Sequence, residues 1–255
     1  MTTVRILRTL AAALALPLTA LPVLAQSGTD WETREQDAMW VGAYLEQPVG
    51  KTLSLWFDGQ WRRMDLGARP QQLLLRPGVY LELAPGVKVG GGYAYIATAP
   101  YGTFPIPSPL REHRAWQDLL LSHPAGSVGV SHRFRLEQRW VNPVVNGVDG
   151  PTTYANRIRY RARGNANLGT LAIGGQPVYG FAWNELLMPL GGTGQRFTIG
   201  QNRATAGIGF TLSGTMKTEV GYMNLYNAYP SRRANEVNHT LWLSWHYTGR
   251  RAPSR

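Results

Sequence analysis

The chain has 255 residues, no cysteine and a formal net charge of +11, with 44% apolar, 16% charged and 11% aromatic residues. Its charge content is below the roughly one quarter usual for soluble domains, and its aromatic content excludes an intrinsically disordered chain. Its 29 Gly, 17 Pro, 9 Trp and 12 Tyr are poor helix formers and argue against a helical bundle, and without cysteine there is no disulfide framework and no thiolate metal site.

Residues 1–25 read as a cleaved signal peptide. Arg5 and Arg8 precede a short apolar stretch over residues 10–24, and Val23-Leu24-Ala25 fits the small-x-small cleavage rule, which would make Gln26 the first mature residue. Pro17 and Pro22 interrupt the stretch, and no run of 18 apolar residues follows it, so no spanning helix is expected. Residues 26–37 form a polar lead-in, 38–248 the folded domain, and 249–255 a basic tail.

From residue 38 onward apolar and polar side chains alternate. The alternation predicts strands at 38–47, 51–63, 71–83, 87–97, 111–121, 128–140, 154–163, 177–187, 197–212, 216–227 and 237–247. Tight turns are expected at Pro48-Val49-Gly50, Ala84-Pro85-Gly86, Pro124-Ala125-Gly126 and Ser213-Gly214. Longer loops rich in Pro, Gly and Asn occupy 98–110, 141–153, 189–196 and 228–236. Tight turns on one side and longer loops on the other are the pattern of a membrane barrel. Two connections break it: 64–70 is short for its side and 164–176 is long for a turn.

The faces separate cleanly because successive strand residues point to opposite sides of a sheet. Val128, Val130, His132, Phe134, Leu136 and Trp140 oppose Ser131, Arg133, Arg135, Glu137 and Arg139; Tyr154, Ile158, Tyr160 and Ala162 oppose Arg157, Arg159, Arg161 and Arg163. A soluble sandwich also alternates, but a water-washed face normally uses Lys and Glu, and here the lysines are Lys51, Lys88 and Lys217 alone. Aromatic residues also crowd the ends of the apolar faces, as in Trp61, Tyr93 and Tyr95, Trp140, Tyr222 and Tyr226, and Trp245 and Tyr247. Rings at strand ends suit the headgroup level of a bilayer. The expected fold class is therefore all-β, an antiparallel up-and-down transmembrane β-barrel in the outer membrane. Single-chain bacterial barrels usually have even strand numbers, so about 12 strands (10–12) are expected: either a twelfth hides in 27–37 or 167–175, the favoured reading, or one of the eleven segments is not a strand.

An ordered series of short motifs supports this class: EHRAWQ at 112–117, RFRLEQR at 133–139, NRIRYR at 156–161, WNE at 183–185, QNR at 201–203 and EVGY at 219–222. In order and spacing the series resembles a domain-of-unknown-function family of Gram-negative outer-membrane-type β-barrel proteins. The resemblance implies a barrel and no known reaction.

The arginine-rich face is the unusual constellation. It carries Arg62, Arg76, Arg114, Arg133, Arg135, Arg139, Arg157, Arg159, Arg161 and Arg203, with Glu46, Asp58, Glu82, Asp118, Glu137, Glu185 and Glu219 as the acids expected opposite. Guanidinium groups pair bidentately with carboxylates and keep their charge when desolvated. Two readings stand: a salt-bridge ladder that fills and stiffens a narrow barrel, or an anion-favouring pore or acidic-ligand site. The ligand or lumen candidates are Arg62, Arg114, Arg133, Arg135, Glu137, Arg139, Arg157, Arg159, Arg161, Glu185, Arg203 and Glu219.

Other chemistry is not expected. No His is followed two places later by Ser, and Ser122-His123 and Ser131-His132 point to opposite faces, so the nucleophile–base reach of a lipid hydrolase is missing. No His, Asp and Glu cluster has metal-ligand spacing, and no cofactor motif is present. Gly90-Gly91-Gly92 reads as small residues that make room beside a bulky neighbour or form a bulge. A sequence pI near 10.2 invites nucleic-acid binding, but the charges do not form an exposed basic stripe. The expected partners are outer-membrane lipids, the barrel-assembly machinery and small anionic solutes. The alternatives are a lipid-modifying enzyme of the outer membrane and a soluble periplasmic β-sandwich or lipocalin-like binder.

Overall fold

The computed structural model describes residues 31–101, 108–173, 175–191 and 199–251. The segment read as a signal peptide, the first part of the lead-in, the start of the strand expected at 197–212 and the last residues of the tail lie outside these.

Alternation produces strands throughout: β1 (Glu32–Pro48), β2 (Leu53–Met64), β3 (Arg69–Ala84), β4 (Val87–Thr98), β5 (Leu110–Ala125) and β6 (Val128–Val145). Then follow β7 (Val148–Asp149), β8 (Thr153–Ile173), β9 (Gln176–Leu190), β10 (Gln201–Thr211), β11 (Met216–Tyr229) and β12 (Ala234–Thr248). Strand β7 is a two-residue flap on the end of β6, turned by Asn146 (φ 52°) and Gly147 (φ 80°), the Asn-Gly pair that a tight hairpin turn favours. The other eleven form one closed wall in which each strand pairs antiparallel with the next, until β1 meets β12 in parallel.

Two expectations are thereby corrected. The wall has eleven strands rather than twelve, and it is not antiparallel throughout. The stretches suspected of hiding a twelfth strand lengthen two others: residues 32–37 begin β1, and residues 167–173 prolong β8. An odd number of up-and-down strands brings the first and last to the seam pointing the same way, so parallel pairing follows from the count. The seam is joined by ring contact between the register partners Trp40 and Trp242 (6.4 Å), a Tyr44–His246 stack (4.8 Å) and a Gln36–Glu236 hydrogen bond (2.7 Å).

The connections sort onto two mouths. The tight turns β1–β2, β3–β4, β5–β6, β8–β9 and β10–β11 share one mouth; the other holds the longer β4–β5, β6–β8 and β9–β10 connections, while the loop expected at 228–236 is mostly strand, with residues 230–233 alone between β11 and β12. The short connection 64–70 holds its place on the loop mouth by a 3-10 turn at Asp65–Gly67, where Asp65 (φ 52°), Leu66 (φ 50°) and Gly67 (φ 113°) reverse the chain. The connection that looked too long for a turn is mostly strand, because β8 runs to Ile173.

The apolar flank faces out. Leu136 is 37% exposed, and Leu55, Leu73, Val79, Ile208, Val220 and Leu241 are exposed beside it. Ile158 and Phe210 are half-buried on the same outer surface. Trp61, Tyr93, Trp140 and Tyr154 ring the outside near the loop mouth, and Trp245 and Tyr247 lie outside near the turn mouth. Inside, Trp116 stacks edgewise on Trp56 (5.3 Å). Glycines make room for it: a Cβ on Gly78 would sit 2.2 Å from its ring and one on Gly92 2.9 Å. Gly90 does the same for Tyr80, as the Gly90-Gly91-Gly92 run led one to expect.

Candidate functional site

The arginine-bearing faces all turn into the lumen, and they fill it in three tiers. Period-two alternation forces this: once Leu136 and Ile158 look out, Arg135, Glu137, Arg157 and Arg159 must look in.

The middle tier is a layer of buried ion pairs. Asp118 accepts two hydrogen bonds from Arg135, from Nε and Nη2, each 2.6 Å, and a third of 2.6 Å from the Tyr80 hydroxyl. Glu137 accepts from Arg157 Nε (2.9 Å) and Arg159 Nη1 (2.8 Å), with Arg114 at 3.7 Å. Glu185 holds Arg159 (2.7 Å), Arg203 (3.3 Å) and Arg133. Asp58 pairs with Arg76 at 3.1 Å. The side chains of these four carboxylates are at most 2% exposed. Desolvated carboxylates in low dielectric survive as anions only when so paired. The compensation is incomplete on the cationic side: among the described residues Arg76 Nε, Arg133 Nε, Arg135 Nη1 and Arg159 Nε are buried without a hydrogen-bond partner.

Toward the loop mouth lies a cavity of about 190 Å³. Arg62, Arg76, Arg114, Arg139, Arg157, Arg159 and Arg203 line it, and Glu112 is the one carboxylate among its lining residues. Glu112 is shared by Arg114 (2.8 Å to Nη2) and Arg139 (3.1 Å to Nη2). Arg62 forms no ion pair among the described residues. It donates to Gln60 and Gln72 and lies 3.7 Å over the Trp40 ring, with Arg203 5.1 Å from the same ring. At the rim, burial and then the Glu236 carboxylate push the Tyr101 phenol above its ordinary range.

Toward the turn mouth lies a larger vestibule of about 950 Å³ lined by Arg133, Arg161, Arg163, Lys88 and Lys217, and by Tyr44, Trp56, Tyr80, Trp183 and Trp242. Glu219 anchors its wall, bound by Arg163 (3.2 Å to Nη1), Tyr179 (2.9 Å) and His246 (3.4 Å).

All twelve candidate residues face the lumen, divided among the tiers. Arg62, Arg114, Arg139, Arg157, Arg159 and Arg203 meet at the loop-side cavity; Arg133, Arg161 and Glu219 at the vestibule; Arg135, Glu137 and Glu185 lie between the two. Two expected acids lie outside the ionic layer: Glu46 pairs with Lys88 at 2.6 Å in the vestibule wall, and Glu82 pairs with Arg251 at the turn mouth. Glu112 was missed, although its even spacing from Arg114 and Asp118 places it on their face. Arg163, read on the inner face but not as a site residue, holds Glu219.

Ser244 and His246 stand in the order opposite to the one sought, Ser two places before His, with Oγ 3.0 Å from Nε2. The same Nε2 faces Glu219, whereas a nucleophile–base–acid relay uses opposite ring nitrogens. Among the described residues no group of three or more His, Cys, Asp or Glu could hold a metal.

Residues 37–236 match the family model described as a protein of unknown function, DUF2490. The chain belongs to this family. The DUF2490 match runs from within β1 to the start of β12 and takes in every candidate residue from Arg62 to Glu219. No curated protein and no solved structure matches the chain. Membership of DUF2490 therefore brings a barrel-length domain and no reaction.

Proposed function

We propose that this protein is an outer-membrane barrel, exported by way of a cleaved signal peptide, that captures a small, multiply charged anion in the loop-side arginine cavity. The outer surface supports the membrane: a contiguous apolar band with aromatic rings toward both mouths is foreign to soluble monomers, whose largest apolar patches are a few hundred Å². A closed wall also leaves no unpaired sheet edge for hydrocarbon to meet.

The observation that carries the ligand is Arg62, a buried guanidinium with no carboxylate partner among the described residues, in a cavity lined by seven arginines and one glutamate. Unpaired charge is costly to bury, and an entering anion supplies the missing counter-charge. The size fits: a cavity of about 150 Å³ accepts benzene, so about 190 Å³ accommodates a phosphate, a sulfate or a small dicarboxylate. Titration calorimetry of the refolded full chain with inorganic phosphate and with chloride tests this. Phosphate binds much more tightly than chloride, and Arg62→Gln weakens it at least tenfold. Equal, weak binding of both ions, unchanged in the variant, overturns the proposal.

A second reading, passage of the anion, draws on Glu185, whose carboxylate is already divided among three arginines from both sides of the middle tier. Exchange of partners there would hand an anion from one cavity to the other. Planar-bilayer recording separates the two: capture alone gives no conductance steps, and passage gives small anion-selective ones.

A further inference from the structure

We propose that the turn-side vestibule is a second binding site, specific for an anion carried on an aromatic ring, such as an aryl carboxylate. Its centre is Arg161. Among the described residues this side chain makes no hydrogen bond and no ion pair; its one close partner is the Trp183 ring, 5.9 Å away. The register explains why. Arg161 stands opposite Glu185 on one side and Arg133 on the other, and Glu185 is committed to Arg133, Arg159 and Arg203. Like charges directly opposite across a sheet are destabilising, so the Arg133–Arg161 pair lacks one negative charge. Two buried donors of lining residues, Arg133 Nε and Trp242 Nε1, also have no hydrogen-bond partner among the described residues.

The rest of the wall selects the body of the ligand. Trp183 meets Trp242 edge to face at 5.6 Å, and Tyr44 lies 6.3 Å from Trp242, forming an aromatic flank beside the guanidinium. The loop-side cavity presents mainly guanidinium groups and amides, whereas this one sets a free cation beside aromatic rings, its two carboxylates, Glu46 and Glu219, being already paired with Lys88 and Arg163. That combination favours a ring with a charged substituent over an inorganic anion. At about 950 Å³ the vestibule lies at the upper end of small-molecule sites, roughly 300–1,000 Å³.

The test uses the refolded full chain and three probes: 2-naphthoate, cyclohexanecarboxylate and inorganic phosphate. Naphthoate binds with quenching of tryptophan fluorescence and at least tenfold more tightly than cyclohexanecarboxylate. Arg161→Gln weakens naphthoate at least tenfold, and Arg161→Lys, which keeps the charge, recovers part of the loss. Trp183→Leu removes the preference for the aromatic probe. Naphthoate binding that is unchanged in Arg161→Gln overturns the proposal, as does equal affinity for the two carboxylates. Phosphate reports the loop-side cavity independently: its loss with naphthoate binding intact refutes that site and leaves this one standing, and the converse refutes only this one.

Discussion

Arg135 and Asp118 meet across the β5–β6 pair through two hydrogen bonds of 2.6 Å, with both side chains wholly excluded from solvent. The guanidinium also lies 4.6 Å from the Trp116 ring, so the pair joins the ionic layer to the aromatic packing around it. Removing one member leaves the other charged and buried, which costs about 3–5 kcal/mol. Asp118→Asn is therefore expected to lower the urea midpoint of the refolded barrel sharply. The double change Asp118→Leu with Arg135→Met, which removes both charges, recovers most of the loss. Thermal or urea unfolding followed by gel mobility checks both, and a double variant no better than the single one contradicts this account.

Glu185 neutralises three arginines drawn from β6, β8 and β10. Glu185→Gln strips that counter-charge and leaves Arg203 and Arg159 facing the loop-side cavity with less compensation. Stability falls, while the affinity for phosphate rises severalfold. Calorimetry beside unfolding separates the two effects, and a parallel fall in both quantities counts against an anion site.

The glycines under Trp116 offer a packing test. Gly78→Ala forces a methyl group to 2.2 Å from the indole, and overpacking of this kind costs about 1–3 kcal/mol. Gly129→Ala, where a Cβ meets nothing within 4 Å, stays within about 0.5 kcal/mol of wild type. Unfolding midpoints for the two variants give the comparison directly.

Membrane insertion has its own signature. The refolded protein is expected to migrate faster on gels unheated than after boiling and to partition with outer-membrane fractions. Replacing Leu136 on the outer band by Arg costs about 2–4 kcal/mol if that position meets mid-bilayer hydrocarbon. Unfolding from lipid vesicles reads this, and a neutral Leu136→Arg argues for a solvated exterior.

Much of this was legible in the sequence because period two is a strong signal. Leu136 against Arg135, and Ile158 against Arg157, assign the two sides of the sheet without any coordinates. Strand number was harder to read. Residues 32–37 are polar because they continue β1 beyond the apolar band, so alternation fades there although hydrogen bonding to β12 persists from Glu32 to Glu46. Parallel closure is a property of the whole circuit and leaves no local trace. Ion-pair partners were legible only as faces: Glu46 shares the inner side with the arginines, yet its height in the barrel gives it to Lys88. The same limit hid the division into tiers, because residue parity reports direction and says nothing of depth.

The meeting of β1 and β12 also bears on how such a wall can be completed. Ten of the eleven pairings join strands that follow one another along the chain. The last strand must find a strand laid down first, roughly two hundred residues earlier, and dock on it in the orientation that is slightly weaker per residue. Joining such distant segments carries the largest loop-closure entropy in the molecule. Fifteen register pairs hold that junction, against ten between β9 and β10, so length of pairing offsets the entropy of closing the circuit.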